Sequence, residues 1–258
     1  MEHAPTIGEL RERSLHAGLK SWYALPRDRV EVPMEGYVID LVRPPGTLIE
    51  IQTRGFAKLK RKLTSLVDGN RVRLVFPIAQ RRWIVTTDAR GRVLRRRLSP
   101  KRGAYRDLFA EMIRIPHLMS HPNFTLDVLL VDVEEVRCAD GRGSWRRRGI
   151  SVLDTRLLEV RGRCRFRAPA DLARLLPPRL HEPFTNRALA DAAGISPDAA
   201  GEMTYTLRHM GALSVVGMSS RAYLFARTPC DPALSAIASR RERGSSEQPI
   251  AGVPKVIQ

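Results

Sequence analysis

The stretch from Gly36 to Thr53 has the sequence GYVIDLVRPPGTLIEIQT, and it predicts two apolar strands joined by a short turn. Most strand residues are β-branched or leucine, and the interruption RPPG at 43–46 is a turn signal. Because side chains alternate between the faces of a strand, Glu50 and Gln52 share one face of the second strand. A turn at 44–46 then puts Asp40 opposite Glu50 in the hairpin.

This predicted carboxylate pair has an energetic cost. Like charges at facing cross-strand positions destabilise a sheet, and carboxylates among apolar neighbours lose hydration unless they are paired or bind a metal. A divalent cation between Asp40 and Glu50 would resolve both problems. Carboxylate oxygens suit Mg²⁺ or Mn²⁺, so the pair is a candidate metal site.

The hairpin resembles the active-site hairpin of the PD-(D/E)XK nuclease superfamily, in which an Asp on one strand is followed on the next by (Asp/Glu)-x-Lys. Here the residues are Asp40, Glu50 and Gln52, so Gln52 stands where the pattern has Lys. Ile39 stands where the pattern has Pro. The chain also resembles a bacterial family that joins such a hairpin to a C-terminal winged helix, over most of residues 7–227.

The resemblance implies a fold and a set of roles. The expected fold is α/β, with a restriction-endonuclease-like mixed sheet and flanking helices. Asp40 and Glu50 would hold Mg or Mn for hydrolysis of a phosphodiester, and Gln52 would position the water or the phosphate. Glu12, on the first helix, would complete the metal shell. The alternative for Glu12 is an exposed pair with His16, one turn further along that helix.

Charge gives a second, independent indication of function. The chain has 258 residues with a net charge of +17 and a pI near 11.0. Such a balance favours nucleic acid as a partner, and the alternative is a solvated, arginine-rich surface. Two arginine-rich segments, 90–102 and 142–148, are predicted as loops that contact phosphates. Their candidate contacts are Arg95, Arg96, Arg97, Lys101, Arg102, Trp145, Arg146, Arg147 and Arg148.

Hydrophobic periodicity predicts the remaining elements of the first domain, residues 1–176. Helices are expected at 7–24, 56–67 and 104–113, and the second has four basic residues on its predicted outer face. Separate strands are expected at 72–78 and 83–87, and further strands at 125–136 and 150–166. The acidic residues of the 125–136 strand are interpreted as charges on an edge strand rather than as a second metal site.

Residues 177–228 predict a second domain. Pro177 and Pro178 mark the boundary, and the order helix, tight turn, helix, hairpin is typical of a winged helix-turn-helix. Its second helix, 197–210, would enter a DNA major groove with Thr204, Tyr205 and Arg208 as candidate contacts. The alternative is a winged helix used for protein contact or dimerisation. The composition of residues 229–258 predicts a disordered tail.

The leading hypothesis from the sequence is a nucleic-acid-binding protein, with duplex DNA as the expected partner and a metal-dependent DNA endonuclease as the candidate activity. One alternative is a non-catalytic DNA-binding regulator or scaffold with a degenerate nuclease fold. Another is a basic module for RNA or an acidic protein. No apolar run approaches the roughly 18 residues of a membrane span. The three cysteines form no Cys-x-x-Cys pair and do not suggest a disulfide framework or a zinc site, so they fit a reducing environment and a cytoplasmic location is expected. A homodimer is left open.

Overall fold

The predicted hairpin is present in the structure, a computed structural model that describes residues 7–143 and 149–229, with side chains from residue 14 onward. Its strands are β2 (Tyr37–Arg43) and β3 (Thr47–Ile51), joined through the Pro-Pro-Gly turn. Helix α1 (Ile7–Tyr23) precedes them and helix α2 (Phe56–Gly69) follows. The sequence did not predict β1 (Arg29–Met34), because four of its six residues are exposed and it lacks an apolar run.

Three long strands continue the main sheet. They are β4 (Val72–Thr87), β6 (Phe124–Ala139) and β7 (Ile150–Phe166). The two strands predicted at 72–78 and 83–87 are therefore one strand. A bulge between Ala79 and Arg81 separates its two halves, and this interruption of the alternation explains the wrong prediction.

The segment 90–102 is not a loop, as the sequence predicted, because it contains the strand β5 (Val93–Leu98). This strand pairs antiparallel with the distal half of β4, and its residues Val93 to Arg97 are all exposed. The strand was not predicted because three of its six residues are consecutive arginines, and strand prediction depends on buried apolar positions.

The main sheet has seven strands in the order β1-β2-β3-β4-β6-β7, with β5 added to β4. Parallel pairing joins β3 to β4 and β4 to β6, and the other pairs are antiparallel. One core lies under α1 and includes Leu19, Leu41 and Ile49. The other lies under α2 and includes Leu48 and Leu63. The chain is thus an α/β protein with a mixed sheet and helices on both faces.

Strand β6 is central in this sheet, because it pairs with β4 on one side and β7 on the other. Its acidic residues Asp127 and Asp132 are buried. The sequence-based interpretation of these residues as edge-strand charges is therefore wrong. Both are paired with arginines of neighbouring strands, as the ion pairs of Asp127 with Arg165 and of Asp132 with Arg81 illustrate.

Short helical segments connect the strands. The helix predicted at 104–113 is split into a 3-10 helix (Tyr105–Leu108) and the one-turn helix α3 (Phe109–Met112). A second 3-10 helix (Pro116–Ser120) follows it, and α4 (Pro169–Ala173) comes after β7.

The C-terminal elements have the predicted order. They are α5 (Asn186–Ala193), α6 (Pro197–His209), β8 (Leu213–Ser219) and β9 (Ala222–Arg227). The side chain of Thr185 accepts a hydrogen bond from Ala188 N, and Ser196 does the same with Ala199 N, so both N-caps are as predicted.

These C-terminal elements share a core with the main sheet. Met203 and Leu207 of α6 belong to the same buried cluster as Met112 of α3 and Leu118 of the second 3-10 helix. Ser120 Oγ also donates a hydrogen bond to Met210 O at 3.5 Å. The packing across residue 177 is therefore continuous, whereas the domain boundary itself stays a prediction.

Candidate functional site

Asp40 lies where the pairing of β2 with β3 ends. The last paired residues on that side are Leu41 and Ile49, and the register would next bring Asp40 opposite Glu50. Instead, the backbone N–H of Ile51 donates to Asp40 Oδ2 at 2.8 Å. Residues two apart on a regular strand share a face. Ile39 belongs to the core under α2, whereas Leu41 belongs to the core under α1, so the regular alternation of β2 is interrupted at Asp40.

The imidazole of His16 lies against Asp40 from α1, with Nε2 at 3.2 Å from Oδ2. Burial pushes the pKa of Asp40 upward, but the hydrogen bonds from His16 and from Ile51 N outweigh it and hold the pKa below its ordinary value. The Asp40 hydrogen bond raises the pKa of His16 despite burial. The pair is therefore most stable as a carboxylate with an imidazolium.

Glu50 has its own cation on the opposite face of the sheet. Its Oε1 lies 2.7 Å from Nζ of Lys62 on α2, and both side chains are only 12% exposed. Its other oxygen, Oε2, is buried and has no hydrogen-bond partner among the described residues. Burial, followed by the charge of Asp40, raises the pKa of Glu50. The two carboxylates thus interact electrostatically, yet they take their cations from different helices.

Lys62 does not belong to the exposed outer face of α2, as the sequence predicted. Besides the ion pair with Glu50, its ammonium group donates to Val38 O at 2.7 Å and lies 6.0 Å from the ring centroid of Tyr37. The position follows Leu59 by three residues and precedes Leu63 by one, so it borders the buried face. A helix-periodicity argument could have placed Lys62 at this border.

A third acidic residue, Glu31 on β1, lies next to Asp40; we call Glu31, Asp40 and Glu50 the carboxylate row. Glu31 accepts a hydrogen bond from Lys20 Nζ at 2.6 Å. The flanking pairs Val30–Leu41 and Val32–Ile39 place Glu31 beside Asp40. The sequence indicated that His16 and Lys20 lie on one polar face of α1, because they follow Glu12 at helical spacing. It did not indicate that Lys20 would contact Glu31, because β1 was not predicted.

The other residues of the predicted metal site have different outcomes. The side-chain amide of Gln52 donates to the carbonyl of Arg54 in the following turn. Glu12 lies in α1, but its side chain is outside the described side chains. Among the described residues, no group of three or more His, Cys, Asp or Glu side chains could hold a metal ion. Of the predicted metal ligands, the described residues supply the two carboxylates Asp40 and Glu50, which are not a complete ligand set.

The predicted phosphate contacts at 95–97 lie on the exposed strand β5. Arg95 and Arg97 pair across the strands with Thr86 and Ile84. Both are exposed, and neither forms an ion pair with the described residues.

Arg96, between these two, points to the other face of the strand. Its guanidinium lies 4.3 Å from the ring centroid of Trp83, and its Nε lies 3.2 Å from Glu134 Oε2. This guanidinium is therefore already engaged by protein groups, unlike those of Arg95 and Arg97.

The remaining candidates are only partly described. Lys101 and Arg102 are exposed after β5, and Arg208 is exposed near the end of α6. Thr204 was wrongly predicted as a DNA contact, because it is 2% exposed and its hydroxyl donates to Asn186 Oδ1. Tyr205 is exposed and stacks on His209 with ring centroids 3.9 Å apart. The candidates outside the described residues are Trp145, Arg146, Arg147 and Arg148.

Residues 13–167 match the sequence family DUF8091, which is described as a domain of unknown function. The chain belongs to this family. An uncharacterized protein of Treponema pallidum (strain Nichols) is 32% identical over 179 residues, which cover 69% of this chain and 71% of the relative. No solved structure matches the chain. In the described residues, no helix is both long and apolar enough to cross a membrane.

Proposed function

We propose that the chain is a nucleic-acid-binding protein that contacts the phosphate backbone through β5. The observation that carries the proposal is that Arg95 and Arg97 are exposed on a strand whose outer edge has no partner among the described strands. Arg95 and Arg97 are two residues apart, so they share one face of that strand and their Cα atoms lie about 7 Å apart along it. Exposed arginines on one face suit contact with a phosphate backbone, and the net charge of +17 adds a general attraction.

The test is direct binding of a duplex oligonucleotide, followed by fluorescence anisotropy at several salt concentrations. Binding should weaken steeply with salt and depend little on sequence, because phosphate contacts carry no sequence information. Binding of a single strand or an RNA hairpin much more tightly than the duplex would favour the RNA alternative. Absence of binding to all three at low salt would refute the proposal.

The C-terminal elements support a winged-helix contribution in a restricted form. Helix α6 buries Met203, Thr204 and Leu207, so the exposed stripe that remains for a partner is narrow. It begins with the exposed Asp198 and the half-exposed Glu202, and the exposed Tyr205 and Arg208 follow. The β8–β9 hairpin is more open, since Val216 and Met218 are both more than half exposed. Contacts through the hairpin therefore fit the burial pattern better than insertion of α6 into a major groove.

A second candidate function is metal-dependent cleavage of nucleic acid, of the PD-(D/E)XK type. Glu50 Oε2 favours it, because a buried carboxylate oxygen without a partner is a suitable ligand for a cation. Lys62 could replace the positive charge that Gln52 lacks. The described residues do not fit a complete metal site, however, because each carboxylate already has a protein cation and a third ligand is missing from them.

Two measurements separate this candidate from a non-catalytic binding module. Thermal unfolding with and without Mn²⁺ reports metal binding, and incubation with supercoiled plasmid and Mg²⁺ or Mn²⁺ reports cleavage. Metal-dependent stabilisation and cleavage that are both lost in Glu50→Gln and Asp40→Asn would establish the nuclease. Neither effect, with DNA binding intact, would establish the non-catalytic module.

A further inference from the structure

The segment that follows β5 runs back along the same edge of β4. Ser99 N donates to Arg82 O at 2.8 Å, and Gly103 N donates to Ala79 O at 3.1 Å. These two bonds continue the edge on which β5 pairs with β4. The chain from β5 to Gly103 therefore follows one edge of β4, and we call residues 99–103 the basic arch.

The middle of the basic arch stands away from β4. Between its two anchor points the arch has four residue steps, whereas β4 advances by only two ladder steps, because Gln80 is left out of the ladder. Four steps of extended chain reach about 13 Å, and two ladder steps cover about 7 Å. The excess length lifts Pro100, Lys101 and Arg102 off the strand, and all three are exposed.

Gly103 fixes one end of the arch against β4. A side chain at this position would place its Cβ 2.5 Å from Ala79 O and 2.7 Å from Cγ2 of Ile78. Both distances are shorter than van der Waals contact, so glycine allows the backbone to lie closer to the strand than other residues would. This close packing holds the arch at a fixed place on the edge of β4.

Four cations on this edge have no carboxylate partner in the part of the chain that the structure describes. They are Arg95 and Arg97 of β5 and Lys101 and Arg102 of the arch, and all are exposed. Arg102 Nη1 donates to Ser99 O at 3.3 Å, but a neutral carbonyl leaves the positive charge uncompensated. We call these four residues the basic edge.

Acidic residues on the neighbouring segments have other partners. Asp88 lies 2.8 Å from Arg92, and Glu134 lies 3.2 Å from Arg96. The carboxylate of Asp107 accepts a hydrogen bond from Ala104 N at 3.2 Å. The charge of the basic edge is therefore available to an anion from outside the chain.

From this arrangement we infer that the basic edge is one linear binding surface for the phosphate backbone of a DNA duplex. It extends from Arg95, opposite Thr86, to the end of the arch at Ala79. This is six ladder steps of β4, or about 20 Å, which corresponds to roughly six base pairs of duplex. The inference rests on the proposed function, which it extends from β5 to the arch, and it does not depend on the carboxylate row.

A duplex suits this surface better than a single strand does. It presents about one charge per 1.7 Å of its axis, so phosphates are within reach of both pairs of cations at any position along the edge. A duplex is also stiff over about 150 base pairs, so it can lie along a linear surface without being bent. A flexible single strand would lose conformational entropy when it is held along the same edge.

The test is fluorescence anisotropy at several salt concentrations with a duplex of about 12 base pairs, twice the inferred contact length. The double change Lys101→Ala with Arg102→Ala should reduce the slope of log affinity against log salt by up to about 1.8, since each phosphate contact contributes roughly 0.9. The matched control is Lys60→Ala with Arg61→Ala, which removes the same two residue types from the exposed face of α2. Its slope should stay within about 0.45 of wild type, half the share of one contact.

Combination with Arg95→Ala and Arg97→Ala shows whether one duplex contacts both pairs of cations at once. The two losses of slope should then add to about 3.6. If the pairs were separate sites, each double variant would keep the wild-type slope, because the duplex would bind at the other pair. That result, or a loss in the arch variant no larger than in the control, would overturn the inference and leave the proposed function in place.

Two further outcomes are distinct from these. Tighter binding of a single strand of the same length would overturn the duplex as the partner of this surface. Absence of binding by the wild-type chain at low salt would refute the proposed function together with the inference.

Discussion

Lys62 Nζ and Glu50 Oε1 lie 2.7 Å apart between α2 and the end of β3. The sequence alone suggested that two facing carboxylates need an added cation, and here the chain provides that cation itself. Burial of both side chains makes the pair sensitive to the loss of either partner, because the remaining charge would be left without compensation.

Replacement of Lys62 by Met should therefore destabilise the fold by about 3 kcal/mol at pH 8, at the lower end of the range for broken buried pairs. Glu50 has a raised pKa, so its protonated form favours the folded state, and the variant should regain stability as pH falls. Urea unfolding at pH 8 and pH 5 measures both effects. The control is Lys58→Met on the exposed face of α2, expected within about 0.5 kcal/mol of wild type. Equal losses at both pH values would contradict the account.

His16 should titrate above its ordinary pKa of 6.5, because the hydrogen bond and charge of Asp40 favour the imidazolium. The contribution of His16 to stability is present below that ordinary value and lost as pH rises through the raised pKa. The contribution of Asp40, with a lowered pKa, is lost as pH falls below its ordinary 3.8. NMR titration should show the His16 pKa falling in Asp40→Asn. An unchanged pKa in that variant would mean that the contact is not formed in solution.

Arginines on opposite faces of β5 should differ in their effect on DNA binding. The double change Arg95→Ala with Arg97→Ala should reduce the slope of log affinity against log salt by up to about 1.8, since each lost phosphate contact contributes roughly 0.9. Arg96→Ala should change the slope less, because its guanidinium is held by Trp83 and Glu134. Anisotropy titrations between low and moderate salt provide the slopes. A slope change for Arg96→Ala that reaches half of the change for the double variant would count against a face-specific contact.

Asp127 should be among the most sensitive polar residues of the chain. Asp127→Ala leaves Arg163 and Arg165 without their buried carboxylate, so a loss of about 3–5 kcal/mol is expected at neutral pH. Because the pKa of Asp127 is lowered, the difference from wild type should shrink in acid. Asp68→Ala serves as the control, since the Asp68 side chain is 81% exposed and should change stability by less than about 0.5 kcal/mol. Denaturant unfolding at two pH values gives both quantities.

Main-sheet and C-terminal elements should unfold together. Met203→Ala removes a buried side chain from the core that α6 shares with α3, at an expected cost of about 2–5 kcal/mol. All three tryptophans precede residue 177, so their fluorescence reports only the first part of the chain. If the core is continuous, the fluorescence midpoint should fall along with the midpoint from circular dichroism. A fall in circular dichroism alone would show independent domains.

Local features of the sequence predicted much of this fold. The Pro-Pro-Gly turn, the apolar alternation around it and the two capping residues of α5 and α6 each act within a few residues, and each is where it was expected. Strand β5 was missed because it is held in place by backbone pairing with the second half of β4, and nothing in its own exposed, arginine-rich sequence indicates that pairing.

The same limit applies to the candidate site. The proximity of Asp40 and Glu50 followed from the hairpin, but their partners His16 and Lys62 come from helices on opposite faces of the sheet. Sequence periodicity predicts which face of a helix a residue lies on, but it does not predict which strand residue that face contacts. The buried ion pairs of Asp127 were missed for this reason too, because they join β6 to Arg163 and Arg165 of β7.

The bulge in β4 has a consequence for sequence change. Ala79 pairs with Val131 and Arg81 with Asp132, so Gln80 is one residue more than β6 requires. Because Gln80 is left out of the ladder, odd-numbered residues before the bulge and even-numbered residues after it share one face of the sheet. Regular pairing of Gln80 with Asp132 would move every later residue one partner along β6 and turn Arg82, Ile84 and Thr86 to the opposite face. Deletion of Gln80 would instead restore regular alternation and leave these three residues opposite the same partners, so an alignment gap here would signal a sheet without the bulge.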